Sequence, residues 1–570
     1  MFILNHRAKY YLFLWQFLIL LFPNSITAQI LPQTTGTTRD AEPFFEESES
    51  PLEVSPPLSI PQPSLVEITE LNNISKIEIT GSTIFSQEEL ESVLKSFQDR
   101  DISPRELQEV ISIINKLYSD HGYITSGVFT NPQVQDNSIV TIQVTEGKIA
   151  GIIITGLTRL ESHYVSSRLD VDREKPFNKN QVQEALQLLQ NDYLIEKISA
   201  KITTGSSIGK NILEVEVAES DHFYTELSID NLGSPVIGSS RRRLQFNHDN
   251  LLGFGDRFYA SYTNTEGSNV IDGIDYIIPV NSNDGKLGFS YSYGKAEIVE
   301  EPFDVLDIEA RSSRFLVSYR QPIYKTSTQE FALGVTFDRT NTETKLLNTP
   351  FPVIRGASSE GKLNISALRF SQDYIGRSKQ DWFGLRSEFS LGVDVFDDTT
   401  NDDRPDTHFF LWRGQTWYQR KLTPDITLSF KSYLQLADRP LVSSEQTLDE
   451  LFTLNREEGT FILRGYRQNS LTADNGVFAS AELRASIVQI PQWQTKLQIT
   501  PFVDFGTVWN DDDVEIDEST LTSVGLGLRL LVGDSFRARV DWGIPLVDQD
   551  TIGDSLQEDR ITFNLEYRPF

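Results

Sequence analysis

Cysteine is absent from the 570 residues, which excludes disulfides and thiol chemistry. The six histidines are scattered without metal-ligand spacing, so neither a metal site nor a cofactor is expected. Beyond the N-terminus no segment approaches the roughly 20 apolar residues of a membrane-spanning helix, which excludes a helical membrane protein. Basic residues are outnumbered, with 51 Lys and Arg against 81 Asp and Glu. The resulting formal charge of −30 argues against a nucleic-acid binder.

The N-terminus is typical of a secretory signal peptide, which is predicted to span 1–28. Two basic residues precede an apolar run over 10–22, and Ala28 offers a cleavage position. An uncleaved membrane anchor is the alternative, because the apolar run is slightly long for a signal. Residues 29–70 are rich in Pro, Ser, Thr and Glu and predict a flexible periplasmic linker, with no helix in it.

One order of strands and helices occurs twice in the next part of the chain. A strand, two amphipathic helices and two strands are predicted over 71–148, and the same βααββ order follows over 149–220. The offset is 75 residues, at which "IEITG" ending in Gly81 matches "IIITG" ending in Gly156. Two tandem modules are the economical interpretation, against a coincidental α+β arrangement. The elements predicted for the first module are 74–81, 86–97, 103–122, 123–130 and 138–147.

After about residue 222 helical patterns stop, and sixteen segments rich in aromatic residues alternate apolar and polar positions with period two. This pattern predicts strands over 223–232, 241–250, 257–265, 270–280, 285–296, 311–323, 329–344, 363–377, 381–396, 408–422, 426–437, 476–490, 493–509, 522–533, 536–547 and 560–570.

Two folds fit such a series of strands: a soluble β-sandwich and a transmembrane β-barrel. The lengths of the connections distinguish them. Connections from an even to an odd strand are brief turns, whereas the longer ones overwhelmingly join an odd strand to the next even one. Short turns at one end and long polar loops at the other are typical of a membrane barrel, which closes the sheet so that no backbone edge faces lipid. The sequence therefore predicts a barrel over 221–570.

The negative charge follows the same parity of connections. Four long loops, at 297–310, 397–407, 510–519 and 548–559, hold 22 acidic residues against one arginine, which is −21 of the formal −30. None of them has the residue spacing of a calcium-binding loop, so a solvated external rim is favoured over cation binding.

Together these features resemble the TpsB transporters of two-partner secretion, the haemolysin secretion and activation class. The resemblance covers roughly 70–570. The stretch at 121–149 looks like the end of that family's first POTRA domain, and 231–256 looks like the start of its barrel. It implies a transmembrane β-barrel of 16 antiparallel strands with two N-terminal α+β POTRA domains, in the outer membrane of a diderm bacterium with the POTRA domains in the periplasm.

The family's two most specific motifs are also present, and they include the candidate site residues. The first motif is Arg-Gly-Tyr at 464–466, in the connection 438–475 between predicted strands 11 and 12. The second is Phe-x-Asp-x-Gly at 502–506, in predicted strand 13. The resemblance implies that this connection folds back into the barrel lumen, where Arg464 meets Asp504 and locks the loop to the barrel. An ordinary exposed loop arginine is the alternative interpretation. The site residues are Arg464, Gly465, Tyr466, Phe502, Asp504 and Gly506.

The physical chemistry of these residue types fits that contact. A guanidinium in a partly water-filled lumen needs a partner, and Asp504 can accept its bidentate fork. Gly465 permits a tight turn, Tyr466 offers an aromatic face for packing, and Gly506 leaves room for the intruding loop.

The resemblance implies a pore that secretes a large unfolded exoprotein, a repeat-rich TpsA-like client. The client would be captured at a sheet edge of the POTRA domains, within 71–220. Outer-membrane lipid and the barrel-assembly machinery are the other expected partners. A related factor that inserts other barrels and a passive porin are alternatives. An enzyme is not expected, because no nucleotide, serine-hydrolase or zinc-protease motif is present.

Overall fold

The computed structural model divides into two compact units, Ser48–Ser220 and a second that includes Asp221–Phe570. The residues that the structure describes are 52–53, 74, 76–97, 100–130, 132–135, 139–401, 405–448, 462–512, 516, 518–549 and 553–569. The predicted signal peptide (1–28) lies outside them, as does the predicted linker (29–70) apart from Leu52 and Glu53. Among the described residues no helix is long and apolar enough to cross a membrane.

The first unit contains two α+β modules, each with its own sheet. In chain order the elements are β1 (Leu52–Glu53), β2 (Lys76–Thr80), α1 (Gln87–Val93), α2 (Pro104–Asp120), β3 (Gln133–Gln135), β4 (Ile139–Gln143), β5 (Lys148–Thr155), α3 (Ser162–Arg168), α4 (Lys179–Gln190), β6 (Ile195–Thr204) and β7 (Lys210–Glu219). The sheet orders are β2-β4-β3 and β1-β6-β7-β5.

Both helices of the first module begin at serine N-caps. The hydroxyls of Ser86 and Ser103 accept the N–H groups of Glu89 and Glu106, whose carboxylates accept the serine N–H groups in return. These reciprocal bonds satisfy amides that the first helical turn leaves unpaired. Hydrogen bonds from the Ser103 N–H and hydroxyl, and from Arg100, lower the pKa of Glu106 to about 2.

The turn after the first strand is built alike in both modules. Gly81 and Gly156 have φ values of 86° and 85°, and an added Cβ would lie 2.3 and 2.2 Å from a neighbouring carbonyl oxygen. Glu146 in the first module and Glu219 in the second accept backbone N–H groups of this turn at distances of 2.5 to 3.1 Å. The sequence repeat therefore has a counterpart in the structure of this turn.

One short strand comes from the predicted linker. Strand β1 pairs in parallel with β6 and places Leu52 opposite Ala200. The Leu52 side chain is 5% exposed and belongs to the buried apolar cluster of the second module. Two residues are too few to show the alternation typical of a strand, so the sequence of the linker does not predict β1.

The strand predicted over 123–130 is wrong. A single bridge between Gly127 and Thr145 joins this segment to its neighbour. The N–H of Val128 donates instead to the side-chain oxygen of Asn115 in α2, at 2.7 Å. A side chain of α2 thus accepts a backbone N–H that would otherwise donate within a β-ladder. An alternating apolar pattern in the sequence does not indicate such a contact.

The chain from Phe223 onward forms a closed antiparallel barrel of sixteen strands, which confirms the predicted barrel. The strands are β8 (Phe223–Asp230), β9 (Arg241–Asp249), β10 (Arg257–Asn264), β11 (Ser268–Pro279), β12 (Lys286–Glu297), β13 (Glu309–Lys325), β14 (Gln329–Leu346), β16 (Lys362–Arg377), β17 (Asp381–Val393), β18 (Phe410–Thr423), β19 (Ile426–Ala437), β22 (Asn475–Ile490), β23 (Thr495–Trp509), β24 (Thr520–Val532), β25 (Phe536–Pro545) and β26 (Ile561–Tyr567). Short strands β15 (Thr349–Pro350), β20 (Thr447–Leu448) and β21 (Thr472–Ala473) lie in connections.

Closure of the barrel joins its first and last strands. Strand β26 pairs with β8 over four residues, from Asn564 opposite Asp230 to Tyr567 opposite Leu227. This pairing closes the sheet, so the backbone groups of the four paired positions are satisfied within the barrel rather than left at an open edge.

The two faces of the barrel wall differ in chemistry. In β23, Phe502, Asp504 and Gly506 are buried, whereas the intervening Val503 and Phe505 are 43% and 36% exposed. Buried polar and exposed apolar residues alternate in this way because successive side chains of a strand point to opposite faces. The outer face therefore suits lipid, and the inner face carries the polar groups.

Candidate functional site in the barrel lumen

The connection between β19 and β22 brings the first predicted motif to the barrel wall. The structure describes residues 438–448 and 462–474 of this connection, which we call the inward loop. Its tip, Leu463 to Tyr466, is buried against β22, β23 and β25. The structure thus brings together the residues that the two sequence motifs nominate.

The Arg464 side chain forms a fork on Asp504. Its Nε lies 2.8 Å from one carboxylate oxygen, its Nη2 lies 2.7 Å from the other, and the Arg464 backbone N–H also donates to Asp504 at 3.2 Å. The two side chains are 6% and 0% exposed. A bidentate ion pair of this kind is stronger and more directional than a single charge contact.

The other two residues of the strand motif surround this fork. The guanidinium carbon of Arg464 lies 3.4 Å from the centre of the Phe502 ring, which is a cation–π contact. A Cβ on Gly506 would lie 2.8 Å from the Cδ1 of Leu463. The ring therefore supports the charged group, and the missing side chain leaves room for the loop.

The remaining two motif residues fix the tip to the wall. Gly465 has a φ of 90°, and a Cβ there would lie 2.7 Å from the carbonyl carbon of Gly543 in β25. The Tyr466 hydroxyl donates to the carbonyl oxygen of Thr522 at 2.7 Å and accepts the N–H of Val547 at 3.1 Å. Backbone contact and a buried hydroxyl thus add to the ion pair.

Sequence reasoning missed several partners of the tip. Arg464 Nη1 lies 2.7 Å from Glu482, which also contacts Arg484 at 2.9 Å and Arg539 at 2.5 Å. Ser480 accepts from Arg464 at 3.1 Å. The alternation within each strand indicates that these residues face inward. Which of the inward residues contact the loop depends on the register between neighbouring strands, which the alternation does not indicate.

A second set of charges lies on the wall formed by β14, β16, β17 and β18. Arg369 in β16 contacts Asp338 in β14 at 3.0 Å, and Arg386 contacts Glu388 at 3.1 Å within β17. Glu445 of the inward loop also contacts Arg369, at 2.6 Å. The loop therefore meets charged residues on two different parts of the wall.

Residues 209–530 match the family described as the haemolysin secretion/activation protein ShlB/FhaC/HecB. That match covers more than half of the chain. The protein belongs to the ShlB/FhaC/HecB family. Residues 72–147 separately match the POTRA domain of the ShlB type, which coincides with the first α+β module.

Relatives of this family align along most of the chain. The heme/hemopexin transporter protein HuxB of Haemophilus influenzae is 22% identical over 475 residues, with 80% of each chain covered. The outer membrane transporter CdiB of Dickeya dadantii is 22% identical over 465 residues, covering 79% of this chain and 78% of CdiB.

Two solved structures share the fold. CdiB from Escherichia coli superposes with a TM-score of 0.63 at 17% identity, covering 87% of this chain and 90% of that one. BamA from Haemophilus ducreyi lacking POTRA domains 1–3 gives a TM-score of 0.51 at 14% identity, covering 87% of this chain and all of that one. At these identities the likeness shows the fold alone.

Family membership settles the class and the location of the protein. This ShlB/FhaC/HecB family member is a TpsB-type transporter of two-partner secretion. Its barrel lies in the outer membrane and its POTRA region in the periplasm.

Proposed function

We propose that the barrel lumen is the path of an unfolded, repeat-rich exoprotein client, that the modules within 71–220 capture the client, and that the inward loop locks the resting lumen. One observation carries this proposal: a loop of the chain itself is held inside a closed barrel by the fork of Arg464 on Asp504. A lock made of an ion pair and hydrogen bonds can open and close repeatedly, because no covalent bond has to break.

Capture by strand addition is supported by the sheet edges of the first unit. Among the residues that the structure describes, β2 and β5 each pair on one side only. The β6 edge already accepts an added strand, because β1 pairs with it and buries Leu52. Main-chain hydrogen bonds at such an edge supply affinity without requiring one client sequence.

A disulfide can test whether the β6 edge is a capture site. Leu52 and Ala200 are opposite each other, and the chain has no native cysteine. In the Leu52→Cys/Ala200→Cys variant, oxidation should hold β1 on β6 and block secretion of the cognate exoprotein in a reconstituted assay, and reduction should restore it. The two single variants are the controls.

Unchanged secretion by the fully cross-linked protein would exclude the β6 edge as the capture site. The broader capture role would then rest on β2 and β5. Deleting 74–219 tests that role, because export that survives this deletion contradicts capture by either module.

The proposed partners also include membrane lipid and the barrel-assembly machinery. The apolar outer face of the strands supports the lipid contact, since a charged side chain there costs roughly 2–4 kcal/mol at mid-membrane. We propose transport without enzymatic activity, and no cofactor enters the proposal.

Assembly of other barrels is the second candidate function, and the BamA fold likeness is the observation that favours it. The two functions predict different defects in a cell from which the protein is removed. Removal of the protein should abolish surface delivery of one exoprotein client and leave the levels of other outer-membrane barrels unchanged. A general fall in those levels would favour the assembly role.

A further inference from the structure

The inward loop has a second charged contact with the wall, far from its tip in sequence. Glu445 lies in a single 3-10 turn, Ser443–Glu445, and its side chain is 5% exposed. Its carboxylate accepts two hydrogen bonds from Arg369, at 2.6 and 3.1 Å, and one from Arg413, at 3.1 Å. Its carbonyl oxygen accepts from Arg413 at 3.2 Å and from Gln435 at 2.9 Å.

These bonds join a loop residue to wall residues that have partners of their own. Arg369 also contacts Asp338 at 3.0 Å, and Arg413 also lies 3.8 Å from the carboxylate of Glu388. The wall arginines are therefore not dependent on Glu445 alone for neutralisation. The specific effect of Glu445 is to tie the loop to β16 and β18, whereas Arg464 ties the tip to β22 and β23.

The residues beside Glu445 are buried. Leu441 and Val442 are fully buried in an apolar cluster with residues of other loops and strands. Ser443 accepts the N–H of Arg355 at 2.9 Å. We call residues 438–448 the loop base. The base is thus held by contacts that share no residue with the fork on Asp504.

We infer that Glu445 is a positioning residue that holds the loop base on the β16–β18 wall independently of the tip, so that the base stays in place when Arg464 leaves Asp504. This inference deepens the proposed lock and rests on it for its role in transport. The prediction itself concerns the resting loop, and it needs no client to be tested.

The absence of cysteine gives a direct probe of the base. A Ser443→Cys variant of the full chain, in detergent or in lipid vesicles, should react slowly with a membrane-impermeant maleimide, because Ser443 is buried. Adding Glu445→Gln should raise the rate at least about tenfold, which corresponds to about 1.4 kcal/mol. Adding Arg464→Ala should leave the rate unchanged, because the base keeps its own anchor.

Glu388→Gln is the matched control. Glu388 is a buried carboxylate of the same wall that accepts a hydrogen bond from Arg386 at 3.1 Å and forms an ion pair with Arg413 at 3.8 Å. It removes one negative charge from the same arginine cluster without removing a loop contact. Its maleimide rate should equal that of the Ser443→Cys parent.

Two results overturn the inference. One is a maleimide rate for Glu445→Gln that equals that of Glu388→Gln. The other is an increase with Arg464→Ala as large as that with Glu445→Gln, which would show that one anchor holds the whole loop. Heat-induced mobility shifts on gels report whether each barrel is folded. Arg413→Gln removes the Arg413 part of this contact and leaves the Arg369 part, so it should raise the rate less than Glu445→Gln does.

Discussion

Gly465 of the inward loop and Gly543 of β25 contact each other backbone to backbone. A Cβ on Gly465 would lie 2.7 Å from the carbonyl carbon of Gly543, and a Cβ on Gly543 would lie 2.4 Å from the amide nitrogen of Gly465. The two residues are far apart in sequence, and neither position tolerates a side chain while the tip remains seated. Because both residues are glycines, the tip can approach the wall this closely, and this approach sets the depth at which Arg464 enters the wall.

Gly543→Ala should displace the tip without unfolding the barrel, because the new methyl group collides with the loop. Secretion of the client should fall, and channel conductance in planar bilayers should rise. Gly376→Ala is the matched control, since the three atoms nearest to its added Cβ belong to the Tyr374 side chain, at 3.3 Å and beyond. A Gly543→Ala protein with the conductance of the parent would contradict this seating.

Reversal of one charge of the Arg464–Asp504 pair should be compensated in part by reversal of the other. Arg464→Asp and Asp504→Arg each bury an unmatched charge, so each should impair secretion at least about tenfold, in line with the 1.5–3 kcal/mol of a charged hydrogen bond. The double reversal restores opposite charges and should recover part of the activity. Equal loss in the single and double variants would argue against pairing, and the same exchange at Arg320 and Glu330, which pair at 2.7 Å, tests for a general effect of reversal.

Arg464→Lys should show how much of the lock depends on the fork. Lysine keeps the positive charge but cannot donate to both oxygens of Asp504 with one planar group or lie flat on Phe502. We expect activity between those of the parent and Arg464→Ala, and a higher resting conductance than the parent. Activity equal to the parent would mean that charge alone is sufficient.

Glu146→Gln should loosen the first module. The Glu146 carboxylate accepts the N–H of Thr83 at 2.7 Å and of Ile84 at 3.0 Å, and also the hydroxyl of Tyr118 at 3.2 Å. Loss of the charge weakens these bonds, so faster hydrogen exchange is expected in the turn after β2. Glu109→Gln, in an exposed position of α2, should leave that exchange unchanged. Burial raises the pKa of Tyr118 to about 12, so its hydroxyl remains a donor at neutral pH.

The capping box of α2 predicts a pH dependence. The pKa of Glu106 is lowered from 4.5 to about 2, so the folded state favours the charged carboxylate. Its contribution to stability is complete above about pH 4.5 and is lost as the pH falls towards about 2. The difference in helix stability between the parent and Glu106→Gln should disappear over that range, as measured by amide NMR of the first turn.

Glu109→Gln again serves as the comparison for this titration. It lies on the same helix in an exposed position, and its substitution leaves the capping box of Ser103 and Glu106 intact. A constant difference between Glu106→Gln and the parent at all pH values would contradict the assignment to Glu106.

The sequence by itself determined the barrel and the nomination of the inward loop. Alternation with period two identifies inward and outward positions, and the parity of connection lengths separates the two ends of the barrel. The sixteen predicted strands therefore lie within a few residues of the observed ones. The pairing of Arg464 with Asp504 was nominated by family resemblance together with strand counting.

Only the tertiary structure decided which distant residues complete the site. Gly543 and Glu482 meet the tip of the loop, and Glu445 of the loop meets Arg369, because strand registers and barrel closure bring these residues together. Neither the registers nor the closure is encoded by a local period. The addition of β1 to β6 was equally hidden, since one buried leucine in a proline-rich segment has no pattern. Local periodicity fixes the face on which a side chain lies, whereas its partner depends on how the whole sheet closes.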